Sequence, residues 1–138
     1  MKKLSVVAFN GSPHKDGNTS ILIRHILTEL EREDIHTECI QIGGQLIRGC
    51  CDCRKCFENK DMQCVFQDDY VNECIHKIVK ADGIILGSPV YFLDITPEMK
   101  SLIDRAGLVA RANNGLFRRK VGTAVTAVRR SGATHTID

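Results

Sequence analysis

Tryptophan is absent from the 138 residues, proline occurs 3 times, and neither sign of charge is in large excess. With 43% hydrophobic residues and 11 glycines, the composition excludes collagenous and disordered chains and fits one globular domain over residues 1–138. The 19 basic and 17 acidic residues leave a net charge of +2. This balance argues against a protein that binds nucleic acid or a membrane surface by charge.

The chain also lacks a long apolar run, because no stretch approaches the ~20 residues that span a bilayer. Met1-Lys2-Lys3 leads directly into a strand-like segment rather than the apolar core of a signal peptide. We therefore expect a cytoplasmic protein. Disulfides rarely persist in that compartment, so the seven cysteines are expected to serve metal binding, redox chemistry or core packing.

Several phosphate-binding motifs are missing as well. The sequence has no G-x-G-x-x-G, and the segment Gly11–Gly17 is one residue too long for a Walker A loop and is followed by Asn18 instead of lysine. No cysteine has an arginine six positions later, which excludes a low-molecular-weight phosphatase. The apolar segment that ends in Gly87-Ser88-Pro89 lacks the aspartate of a response-regulator receiver.

Short apolar segments alternate with amphipathic ones. Strands are predicted at 4–9, 37–42, 83–87 and 121–128, and helices at 22–30, 71–78 and after Thr96-Pro97, an N-cap followed by proline at N1. This order predicts an α/β fold with a flavodoxin-like, doubly wound parallel sheet of order 2-1-3-4, in which the more polar second strand lies at an edge. The fifth strand of that arrangement is missing from this chain, so we expect either that a partner covers strand four or that the chain is shortened.

Three loops follow strand ends at the edge where ligands bind in such sheets. The first, Asn10–Ser20, offers hydroxyls and a flexible backbone before a helix N-terminus, which suits a phosphate; a glycine-rich turn that only starts the helix fits equally well. The second, Gly87–Pro97, carries Tyr91 and Phe92, which would stack on a planar ring or pack in the core. Arg129–Thr134 forms the third loop.

The motifs at 11–19, 87–92, 99–105 and 129–130 resemble, in the same order, those of the NADPH-dependent FMN reductases of flavodoxin-like fold, and among these the iron–sulfur flavoproteins. The resemblance covers almost the whole chain and implies an FMN site. Lys100, Asp104 and Arg105 are expected to serve structure or subunit contacts. The residues expected to contact FMN are Ser12, His14, Lys15, Asn18, Thr19, Ser20, Pro89, Val90, Tyr91, Phe92, Arg129, Ser131 and Gly132.

A cysteine-rich insert occupies residues 43–64, in which Cys50, Cys53, Cys56 and Cys64 are spaced C-x2-C-x2-C-x7-C. Four thiolates at such short intervals suit a [4Fe–4S] cluster, and the spacing resembles the compact motif of iron–sulfur flavoproteins. Zinc bound by four cysteines, or free thiols, are the alternatives. Two further cysteines, Cys39 and Cys74, fall at apolar positions and are predicted to pack in the core.

The resemblance implies an FMN-dependent oxidoreductase with NAD(P)H as the expected electron donor. A cluster in the insert would lie at the same sheet edge and pass single electrons to FMN. The alternatives are a clusterless NAD(P)H:quinone or flavin reductase, a non-enzymatic flavodoxin-like electron carrier and a zinc-stabilised binding domain without a cofactor. Expected partners are small-molecule or protein electron donors and acceptors, and a homodimer or homotetramer is the expected assembly.

Overall fold

The computed structural model describes residues 3–138 and shows one four-stranded parallel sheet flanked by helices. The prediction about the N-terminal segment falls on Met1 and Lys2, which lie outside the described residues. The sheet order β2-β1-β3-β4 confirms the predicted flavodoxin-like order. The strands are β1 Ser5–Asn10, β2 His36–Gln41, β3 Gly83–Pro89 and β4 Val121–Ala127.

Three long helices lie where the apolar spacing predicts them. They are α1 Asn18–Arg32, α3 Val71–Lys80 and α4 Pro97–Ala112, and α4 begins with Thr96 at the N-cap and Pro97 at N1. The short helices α2 Lys55–Asn59 and α5 Ala133–Ile137 are not predicted by the sequence, because five residues are too few to establish a helical period.

The two faces of the sheet bury separate apolar clusters. Since successive strand residues point to opposite faces, Ala8 of β1 packs with Ile23 and Leu27 of α1, whereas Val7 and Phe9 pack on the side of α3 and α4. The fold therefore has α1 on one face of the sheet and α3 with α4 on the other, as doubly wound sheets do.

The outer strands differ in how well they are covered. β2 is an edge strand, as its polar pattern predicts. Among the described residues no strand pairs with the outer side of β4, and residues 121–124 are exposed. No helix in the described part of the chain is long and apolar enough to cross a membrane.

The two cysteines predicted to pack in the core have different environments. Cys74 is fully buried in α3, and burial, together with the charges of Glu73 and Asp69, raises the pKa of its thiol to about 12. This confirms a packing role for Cys74. The prediction for Cys39 is wrong: its side chain is exposed on β2, which is an edge strand of the sheet.

A buried ion pair joins α4 to the segment that precedes α3. The side chains of Arg105 and Asp69 are only 1% and 3% exposed, and the guanidinium Nη1 donates to the carboxylate Oδ2. Although burial alone would raise the pKa of Asp69, hydrogen bonds from Arg105 and from the backbone N–H groups of Arg48 and Val71 hold it below its usual range. Asp69 therefore connects the cysteine-rich insert, the start of α3 and the middle of α4.

The loops after β1 and β2 approach each other at Gly43. A Cβ atom at this position would lie 2.2 Å from the carbonyl carbon of Ser12 and 2.4 Å from the carbonyl oxygen of Gly11. Both neighbours are backbone atoms, so they cannot rotate away as a side chain could. Gly43 therefore permits the close contact that shapes the loop after β1.

We predict that Asp69→Asn destabilises the folded chain by roughly 3 kcal/mol at neutral pH, because it leaves a buried guanidinium without its counter-ion. Since the folded pKa of Asp69 is lowered, its stabilising effect is present above the unfolded pKa of about 3.9 and is lost as the pH falls through the folded pKa. The difference between variant and wild type should therefore shrink in acid. Urea unfolding from pH 2 to 7 measures it.

The matched control is Asp104→Asn, which removes a carboxylate from an exposed ion pair with Lys100 on α4. That change should alter the free energy of unfolding by less than about 1 kcal/mol. Equal effects of the two substitutions would contradict the structural role given to Asp69.

We also predict that Gly43→Ala destabilises the chain by about 1–3 kcal/mol through overlap with the loop after β1. Gly122→Ala on β4 is the control, because a Cβ atom there meets nothing within 4 Å. Urea unfolding of both variants compares them, and equal stability would show that the loop after β1 moves without cost.

Candidate functional site

Polar side chains at the ends of β1 and β2 form hydrogen bonds with the loop after β1. Asn10, at the end of β1, is 1% exposed; its Oδ1 accepts the backbone N–H of Ser12 at 3.0 Å and its Nδ2 donates to Gln41 Oε1 at 2.8 Å. Gln41 Nε2 in turn donates to the carbonyl oxygens of Ser12 and Gly43. The sequence-based prediction of site residues does not include Asn10 and Gln41. Each is a polar residue at the end of a strand, and the two strands are neighbours, which is the signal that could have identified them.

The loop leads into α1, and hydroxyl-bearing residues on both sides of this junction are buried. Ser12 and Thr19 are buried, and Ser12 Oγ accepts the backbone N–H of His14 at 3.2 Å. No side chain of the described residues caps α1 at its N-cap residue Gly17. The first turn of α1 thus keeps backbone N–H groups that can bind an anion, and the positive end of the helix dipole adds to the attraction.

The loops after β1, β3 and β4 border one open cleft of about 820 Å³, which we call the three-loop cleft. Its size is within the roughly 300–1,000 Å³ of small-molecule sites. Seven residues that the sequence singles out line it: Ser12, His14, Asn18, Thr19, Pro89, Val90 and Arg129. The remaining wall comes from Gly17, Ile21 and Leu22 near the start of α1 and from residues 126–128 of β4 and its end.

Six other predicted residues do not line this cleft: Lys15, Ser20, Tyr91, Phe92, Ser131 and Gly132. Ser20 is buried in the first turn of α1, and Lys15 is exposed. Gly132 lies against the loop after β3, since a Cβ atom there would be 2.9 Å from both Val90 and Leu93. The loops after β3 and β4 are therefore in contact beside the cleft.

Tyr91 and Asp94 pair their backbones across a two-residue turn. Both central residues are left-handed, Phe92 with φ 48° and Leu93 with φ 67°, a conformation that non-glycine residues adopt at a cost. Phe92 is fully exposed, and Tyr91 and Leu93 are about half exposed. The alternative that Tyr91 and Phe92 fill the core is therefore wrong.

The four motif cysteines line a second, small cavity of about 20 Å³ beside α4, together with the extra thiol of Cys51. A cavity of this volume holds about one water molecule. Among residues 3–138, no three histidine, cysteine or acidic side chains are arranged closely enough to hold a metal ion. Four thiols around one cavity fit the donor chemistry of a [4Fe–4S] cluster, and the exposed thiols have to rearrange to bind it.

The four thiols differ in how firmly they are held. Cys50 and Cys53 are exposed and Cys56 is partly exposed. They lie on the segment between Arg48 and Cys64, which we call the exposed arm and in which Asp52 and Arg54 adopt left-handed backbone conformations. Cys64 is buried: Asn72 Oδ1 accepts its backbone N–H at 2.8 Å. Burial raises the pKa of the Cys56 thiol. The site thus combines one fixed thiol with three on an exposed arm.

The cysteine cavity and the three-loop cleft share no lining residue. The cavity borders α4, whereas the cleft borders α1 on the opposite face of the sheet. Of the three α4 residues expected to serve structure or subunit contacts, Arg105 is buried beside the cavity, and Lys100 and Asp104 form an exposed ion pair.

Comparison with known proteins gives relatives over nearly the whole chain. An iron-sulfur flavoprotein of Methanocaldococcus jannaschii is 38% identical over 136 residues, which are 97% of this chain and 68% of the relative. One from Archaeoglobus fulgidus is 36% identical over 102 residues, covering 74% of this chain and 45% of the relative. Among solved structures, a flavone reductase superposes with a TM-score of 0.70 at 16% identity, over 96% of this chain and 46% of that one.

The chain therefore spans between about half and two thirds of the length of these curated relatives. The family model described as NADPH-dependent FMN reductase matches residues 4–138. That match covers all the loops and both candidate sites, so this chain belongs to the NADPH-dependent FMN reductase family.

Proposed function

We propose that the protein is an FMN-dependent oxidoreductase whose flavin binds in the three-loop cleft. The observation that carries the proposal is the convergence of the loops after β1, β3 and β4 around a cleft of about 820 Å³ at the carboxyl edge of the sheet. When bound, FMN supplies the one- and two-electron chemistry that amino-acid side chains lack.

The chain's own residues would bind and orient the flavin. The hydroxyls of Ser12 and Thr19 and the first turn of α1 would hold the phosphate, with His14 and Arg129 as nearby basic groups. Pro89 and Val90 would lie against the ring and its ribityl chain. Lys15, Ser20, Tyr91, Phe92, Ser131 and Gly132 remain candidate contacts in a bound state.

The four motif cysteines are proposed to bind a [4Fe–4S] cluster. Supporting observations are the shared cavity of Cys50, Cys53, Cys56 and Cys64 and the names of the related iron-sulfur flavoproteins. A bound cluster would transfer single electrons, which matches the ability of a flavin to accept one at a time.

The electron donor is proposed to be NAD(P)H, in line with the name of the family. The acceptor would be a small molecule or a protein. A homodimer or homotetramer would cover the exposed residues of β4 and the apolar turn at Phe92 and Leu93.

We predict that Ser12→Ala weakens the binding of FMN about tenfold, because one hydrogen bond to a charged phosphate is lost. Riboflavin lacks the phosphate, so its affinity should change little. Quenching of flavin fluorescence on titration measures both. Ser5→Ala is the control, since this serine lies at the opposite end of β1 and contacts Asp82.

Equal losses of affinity for FMN and riboflavin would contradict the assignment of Ser12 to the phosphate.

Oxidation of NADPH and NADH by the FMN-loaded chain, without another protein, tests whether the protein is a reductase. Steady turnover supports it, whereas reduction that requires a partner protein favours the non-enzymatic electron carrier.

We predict that the full chain, reconstituted anaerobically with iron and sulfide, binds one [4Fe–4S] cluster, and that Cys53→Ser abolishes this uptake. Cys51→Ser should retain it, because Cys51 is the neighbouring thiol outside the motif. Iron and acid-labile sulfide per chain, with the broad sulfur-to-iron absorbance band, provide the measurement. Tight zinc in place of iron, or thiols that bind neither, would contradict the cluster.

A further inference from the structure

We propose that Arg105 is a positioning residue of the cysteine site: its guanidinium fixes Cys64 before iron arrives, and its N–H group then raises the reduction potential of the bound cluster. This inference rests on the proposed cluster. It concerns a residue outside the cysteine motif, on a helix that begins 33 residues after Cys64 in the sequence.

Every nitrogen of the Arg105 guanidinium donates a hydrogen bond. It is 1% exposed, and its three nitrogens donate to four acceptors from the cysteine insert and the segment before α3. These acceptors are Cys64 Sγ (3.3 Å from Nε), the carbonyl oxygens of Arg48 (3.0 Å from Nη1) and Phe66 (3.3 Å from Nη2), and the carboxylate of Asp69.

The hydrogen bonds reach both ends of the exposed arm. Arg48 precedes the first motif cysteine, and Cys64 is the last, so one side chain of α4 sets the separation between the two points where the arm is attached. The guanidinium is planar and its N–H groups point in fixed directions, which a lysine ammonium cannot reproduce. Cys64 therefore occupies a defined position while the other three thiols can adjust to the cluster.

The charge of Arg105 is largely balanced within the protein, because Asp69 is its buried counter-ion. A cluster held by Cys64 would therefore be affected chiefly by the N–H group that Arg105 directs at the sulfur of Cys64. A hydrogen bond to a ligating sulfur stabilises the reduced, more negative cluster and so raises its potential. Through this hydrogen bond, Arg105 would affect the potential of the cluster in addition to forming the structural ion pair with Asp69.

The test compares the full chain with Arg105→Lys, which keeps the positive charge and removes the Nε–H group. Lys100→Gln on the same helix is the control, since within residues 3–138 the ion pair of Lys100 is with the exposed Asp104. Amide hydrogen exchange is measured before reconstitution, and the midpoint potential of the cluster and its rate of iron loss to a chelator are measured afterwards.

We expect Arg105→Lys to speed amide exchange in residues 64–70 at least tenfold, and by a larger factor than in α3, which contains the buried Cys74. After reconstitution, we expect a more negative midpoint potential and at least threefold faster iron loss. Lys100→Gln should change none of these quantities.

An unchanged midpoint potential in Arg105→Lys overturns the proposal and reduces Arg105 to a structural ion pair. Unchanged exchange in residues 64–70 overturns the claim that Arg105 fixes Cys64. A wild-type chain that takes up no iron overturns the proposed cluster and, with it, the effect on potential. The exchange comparison before reconstitution still decides whether Arg105 holds Cys64, so the two failures are distinguishable.

Discussion

The buried guanidinium of Arg105 is the contact on which the α3–α4 side of the molecule depends. Taking a charged group out of water is costly, and the cost is offset only when the charge is paired and the remaining N–H groups are bonded. Asp69 provides the pairing, and the sulfur of Cys64 with two carbonyl oxygens provides the remaining acceptors. The cysteine insert is therefore attached to the helical layer by a polar contact rather than by apolar packing alone.

On the other side of the sheet, a second polar network holds the loop after β1 in the way that Arg105 holds the cysteine insert. Asn10 and Gln41 hold the turn after β1, and Gly43 lets the loop after β2 approach it closely. In both places, polar side chains outside the predicted ligand sets determine where the candidate ligand residues lie. The two sites share no lining residue and lie on opposite faces of one parallel sheet.

The fold was predictable because its signals are local and periodic. The apolar positions of α3 that the spacing indicates, Val71, Cys74, Ile75 and Ile78, are the four that the structure buries. The strand order followed from the rule for parallel crossovers and from the polar β2. Cys39 was misplaced because its apolar neighbours in the sequence do not indicate which residues of an edge strand are covered by the rest of the fold.

The sites were less accessible to sequence analysis. Spacing grouped the four motif cysteines, which line one cavity, but gave no indication that Cys64 is held by an arginine 41 positions later. Likewise, the sequence picked out Tyr91 and Phe92 as aromatic neighbours but not the left-handed turn that directs Phe92 into solvent. Contacts between distant segments and unusual backbone angles leave no periodic pattern in the sequence, so they become apparent only in the three-dimensional structure.

The open side of β4 has a practical consequence. Backbone donors and acceptors along Val121–Ala127 are satisfied by β3 on one side, and on the other side no strand of the described residues takes them up. An unpaired strand edge of this kind is a template for pairing with another extended segment, including the same strand of another molecule. Concentration, more than acidity or salt, should then govern whether preparations of this chain remain monodisperse.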